Sequence, residues 1–83
     1  MSIKILREAI KGLAARGKTK KAVKTLIENL DMESEYYEDA LTLKKRLKKL
    51  AEKYETGRID FEEFQQEFNE ITNSIVDLAN NIQ

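Results

Sequence analysis

Apolar residues recur along this chain at steps of three and four, without sustained alternation, and two of the three glycines, Gly17 and Gly57, fall between the periodic stretches. That pattern predicts helices and no strands. The first stretch carries Ile3, Leu6, Ile10 and Leu13, widened by Ala9 and Ala14. Ser2 stands where an N-cap belongs, and Gly17 follows as a left-handed stop. Gly12 lies inside this helix, where it costs about 1 kcal/mol relative to Ala, which points to close packing against a neighbour. A second helix is expected from about Thr19 to about Asp31, with Ala22, Val23, Leu26, Ile27 and Leu30 on one face. The connection from Arg16 to Lys18 is short, so these helices should pack as an antiparallel hairpin.

Ser34 is placed to cap a long third helix whose stripe runs Tyr36, Ala40, Leu43, Leu47, Leu50, Tyr54, widened by Leu41 and Ala51. Tyr36 and Tyr37 are adjacent and cannot both enter one seam, so one of them is expected to be partly exposed. Gly57 ends this helix. Asp60 with Glu63 then forms a capping box for the fourth, whose stripe is Phe61, Phe64, Phe68, Ile71, Ile75, Leu78, Ile82, and Ile59 is placed to staple against Phe64. The expectation is an all-α fold, a small four-helix bundle of two antiparallel helical hairpins, forming one domain over residues 1–83.

Composition narrows the chemistry. The 83 residues contain no Cys, no His and no Pro. There is no thiolate nucleophile or ligand, no imidazole base and no usual zinc site. A domain this short buries only about 60% of its unfolded surface, so the large apolar residues are needed for the core and few remain to line a pocket. No apolar run approaches the roughly 20 residues of a spanning helix. The opening MSIKILREAI is too charged for a secretory signal, and the lack of Cys fits a reducing compartment, so the expectation is a soluble, cytoplasmic protein without cofactor or metal.

The net charge of zero conceals a division. Residues 1–32 carry eight basic side chains against three acidic ones, residues 33–56 carry six of each, and from Gly57 onward Arg58 stands alone against six carboxylates. Lys18, Lys20 and Lys21, with Lys24 beyond them, crowd the start of the second helix, where cations oppose the helix dipole. A broken local rule hints at use, although solvent can screen exposed lysines at little cost. These four lysines and the acidic Glu62, Glu63, Glu67 and Glu70 are the candidate partner-binding residues. Supplied by a second copy, the pairing would be head-to-tail.

Other motifs weigh less. Lys44, Lys45, Arg46, Lys48 and Lys49 form a basic cluster that a small nucleic-acid-binding protein could use. Such proteins usually show net positive charge with aromatics between the cations, and here the aromatics sit at core spacing. The run Thr56 to Phe64 imitates half of a calcium-binding loop, but Glu52, Tyr54 and Thr56 stand where short oxygen ligands are required, so a plain capped corner is preferred. Glu62 and Glu63 have no nucleophile or electrophile beside them, and Ser2, Ser34 and Ser74 have no His to activate them, so no catalytic site is expected.

The order of features carries a resemblance. AARGKTKKAVKTLIENL, then YYEDALTLKKRLKKLAEKYETGRIDFEEF, then FNEITNSIVDLANNI, is similar to the bacterial effector-associated domains of the eleventh type over roughly Ile3 to Leu78. The carrying features are Gly17 before the Ala22-x-x-x-Leu26 helix, the long helix, the Gly57-x-Ile59-x-x-Glu62-Glu63 corner, and the closing helix with Ile71. The lysines of the second helix stand where the family's pattern is more acidic, and Thr72-Asn73 where it has an arginine or asparagine pattern. The resemblance implies an adaptor module that binds another copy of the same or a like domain. Through that contact it would recruit effector proteins such as proteases, nucleases or NTPase switches, in cis or in trans, in bacterial conflict and defence systems.

Overall fold

Three breaks divide the chain into four helices, and in the computed structural model, which describes residues 2–82, each helix boundary has a physical cause. α1 (Ile3–Ala15) starts where the Ser2 hydroxyl accepts from the Ile5 amide at 3.2 Å. Gly17 ends it at φ 75°, a left-handed conformation that disfavours a side chain. α2 (Thr19–Asn29) begins at Lys18 with no side-chain cap and stops at Leu30, which turns extended at ψ 145°. α3 (Glu35–Glu55) is capped by Ser34, whose hydroxyl accepts from the Tyr36 amide. Gly57, at φ 73°, turns the chain into α4 (Phe61–Asn81), where the Asp60 carboxylate accepts from the Glu63 amide at 2.8 Å. This is the Asp60 half of the expected capping box.

The helices pack in a ring. α1 touches α2 and α4, α3 touches α2 and α4, and α2 also meets α4 across the diagonal, while α1 and α3 stand apart. α1–α2 and α3–α4 are therefore the two expected hairpins, and no strand occurs among the described residues. The core is formed by Leu6 and Ile10 of α1, Ala22, Val23 and Leu26 of α2, Ala40, Leu43 and Leu50 of α3, and Ile71, Ile75, Leu78 and Ala79 of α4, closed by Ile82. Leu13, Ile27, Leu30, Leu47, Phe64 and Phe68 pack against it half-buried.

Two long-range contacts fix the register. The Arg7 guanidinium donates to the backbone carbonyls of Ala79, at 3.2 Å, and of Ile82, so the start of α1 lies against the end of α4 and satisfies carbonyls that a helix terminus leaves free. The hydroxyls of Thr19 and Thr72 meet at 2.7 Å and set the start of α2 beside the middle of α4. Thr19 is 1% exposed, a buried polar residue that periodicity did not reveal.

The helices differ in length, 13 and 11 residues for α1 and α2 against 21 each for α3 and α4. At 1.5 Å per residue, about 15 Å of the α3–α4 hairpin runs past the α1–α2 turn uncovered. This corrects two expectations. Phe61 belongs to the predicted core stripe yet is 62% exposed, and Tyr54 is 40% exposed, because no helix lies over them. Ile3 is likewise exposed at the other end, where α1 begins. Gly12 does not mark a close helix approach either. A Cβ there would meet only the Arg16 side chain, at 3.3 Å, and Arg16 Nε donates to the Gly12 carbonyl. Tyr36 and Tyr37 are both half-buried, and it is Tyr36 that packs on the core.

Candidate interaction surface

Helical spacing decides which charged residues share a face. Ala22, Val23 and Leu26 turn α2 inward, so Lys20, Lys21 and Lys24, on the opposite side, point into solvent, with Lys18 at the N-cap beside them. The four lysines together with Thr25 and Glu28 line one open groove. The basic candidates are thus brought together on a single outward face. The α2 amides there have no side-chain cap, so the end is positive from the dipole and the side chains alike.

The acidic candidates divide. Glu63, Glu67 and Glu70 follow at steps of four and three and form one stripe of α4, with Glu67 half-buried. Glu62 is rotated from Glu63 by about 100°, the step of one residue on a helix, and stands on a different side. No Lys or Arg occurs anywhere in α4. The acidic residues at the start of α4 lie on the uncovered end of the hairpin, before Thr72, whereas the lysines lie on the far side of α2. One chain does not bring the two sets together.

The basic residues of α3 are all exposed but do not share a face. Lys44 and Lys48, one turn apart, lie on one side, Lys45 and Lys49 about 100° further round, and Arg46 beyond them. Lys49 joins Glu52, Lys53, Thr56 and Arg58 in an open groove near the hairpin turn. A further open groove runs between α3 and α4 and is lined by Asp39, Thr42, Leu43, Ser74, Asp77, Leu78 and Asn81. Among the described residues no three carboxylates are grouped so as to hold a metal ion, and no helix is long and apolar enough to cross a membrane.

Sequence reasoning missed one surface feature. At the uncovered end the rings of Tyr54 and Phe64 stack with centroids 4.6 Å apart, Phe64 and Phe68 follow at 5.7 Å, and Phe61 leans on Tyr54 at 6.3 Å. The signal that could have found it is the mismatch of helix lengths, since two short helices cannot cover two long ones.

A four-helix bundle with open grooves and its charge sorted between outward faces defines a small helical module. The chain belongs to the effector-associated domain 11 family, whose model matches residues 5–83. This is an adaptor-type domain associated with effectors, not a known catalytic family. Neither the curated proteins nor the solved structures give a match.

Proposed function

We propose that this chain is a non-catalytic adaptor that recruits effector enzymes in a bacterial conflict, defence or signalling system, in the cytoplasm, by binding another copy of the same or a like domain. The observation that carries the reading is family membership over residues 5–83. The division of charge supports it: the α1–α2 hairpin is strongly basic, and α4 carries five carboxylates and no Lys or Arg. The contact assigned to this role joins Lys18, Lys20, Lys21 and Lys24 of one copy to carboxylates among Glu62, Glu63, Glu67 and Glu70 of another. Such a contact steers and selects partners through complementary potentials.

Mixing two differently tagged copies tests this directly. Capture of the second copy by the first in low salt, lost in high salt and lost in Lys20→Glu/Lys21→Glu, is the expected result. Failure of folded copies to capture one another at any salt overturns the homotypic part of the reading.

A further inference from the structure

Phe61 is 62% exposed at a position where core periodicity would bury it, and it is not alone. With Tyr54, which is also exposed, and the half-buried Phe64 and Phe68 behind them, it makes a continuous aromatic ledge at the end of the α3–α4 hairpin. On the α4 helix Phe61, Phe68 and Thr72 lie on the same side, and Thr72 is the residue that meets Thr19 of α2. The same side carries Ala79, whose carbonyl Arg7 of α1 meets, so the ledge looks into the space beyond the α1–α2 turn. Contiguous exposed apolar surface rimmed by polar residues marks a contact site. Glu62, adjacent to Phe61, rims it, and α4 supplies no cation. Aromatic faces beside carboxylates attract ammonium groups and the methylene stems that carry them.

We propose that the ledge seats the lysine face of α2 from a second copy, in a two-fold dimer where each ledge receives Lys20, Lys21 and Lys24 of the other. Charge complementarity selects this occupant. The lysine face is the matching cationic surface, and it points away from its own ledge, so only another copy can deliver it. Both surfaces adjoin one shoulder of the molecule, since α2 begins beside Thr72, a single turn beyond Phe68. One two-fold axis then closes both contacts at once, and a closed dimer replaces the ring or filament that a head-to-tail pairing would give. The inference rests on the homotypic reading above and narrows it: Phe61 and Glu62 lie in the contact, while the Glu63, Glu67, Glu70 stripe does not carry it.

Sedimentation of two variants, alone and mixed, tests the arrangement. Wild type should form a dimer and nothing larger. Phe61→Ser and Lys20→Glu/Lys21→Glu, each folded by circular dichroism, should each dimerise about tenfold or more weakly. Their equimolar mixture should associate more tightly than either variant alone and less tightly than wild type, because the mixed dimer restores one of the two contacts, the intact ledge of one variant against the intact lysine face of the other. Glu62→Lys, at an exposed position, should weaken the dimer as Phe61→Ser does, and Glu70→Lys should leave it unchanged. A wild-type dimer indifferent to both Phe61→Ser and Glu62→Lys, a mixture that regains nothing, or growth beyond a dimer overturns the ledge and spares the homotypic reading. A wild type that stays monomeric at every concentration overturns both.

Discussion

The two ends of the α3–α4 hairpin obey one sequence pattern and meet different fates. At the end where α1 and α2 lie across it, Ile71 and Ile75 are fully buried, and Leu43 and Leu78 nearly so. At the other end the same three-and-four spacing continues through Phe61, Phe64 and Phe68, and the rings are half-covered or bare. Periodicity specifies which face of a helix is apolar. Whether that face is buried depends on the length of its neighbours. The covered end holds the fold together, and the bare end leaves aromatic surface exposed.

Truncation should separate the ends most sharply. Ile75→Ala in the covered end should cost about 3 kcal/mol in denaturant unfolding, from lost burial and the cavity left behind. Phe61→Ser at the bare end should cost less than about 1 kcal/mol, as surface changes do. Equal losses would mean that the ledge is part of the core. Next in size is the polar joint that sets the register. Thr72→Val removes the partner of the buried Thr19 hydroxyl and should cost about 2 kcal/mol. Thr72→Val/Thr19→Val, which leaves no unpaired hydroxyl, should recover most of it. A double variant no better than the single would show that the loss came from packing.

Smaller effects sharpen the contrast between structural and surface charge. Asp60→Ala should cost about 1 kcal/mol, because the Glu63 amide loses its acceptor. Lys20→Glu/Lys21→Glu should leave stability unchanged or raise it by a few tenths of a kcal/mol, since acidic residues suit a helix N-terminus. The same substitution should abolish association. A variant more stable yet unable to self-associate would identify lysines kept at that helix end for contact rather than for folding.

Much of this was readable in the chain itself. The helices, both hairpins, the Ser2, Ser34 and Asp60 caps and the glycine stops follow from periodicity and turn chemistry, and all are present. The second helix stops at Asn29 rather than near Asp31 because Leu30 adopts an extended backbone to enter the loop. Thr19 was not readable, because its partner Thr72 lies 53 positions away and no local spacing links them. The propensity cost of Gly12 does not translate into close helix packing, because the space beside it is occupied by the flexible Arg16 side chain. Of the candidate surface, the clustering of Lys18, Lys20, Lys21 and Lys24 follows from their spacing. The separation of Glu62 from the Glu63, Glu67, Glu70 stripe follows from the same arithmetic. The aromatic ledge needed the packing of whole helices, which depends on their relative lengths.

The central claim is that this helical module binds its own kind through charge. Light scattering over a concentration series, at about 0.01 M and about 1 M salt, where the Debye length falls from about 30 Å to about 3 Å, addresses it most directly. The account predicts a mass that rises with concentration in the dilute salt and returns to that of one 9.6 kDa chain in the concentrated salt. A single-chain mass at every concentration in both salts would contradict it.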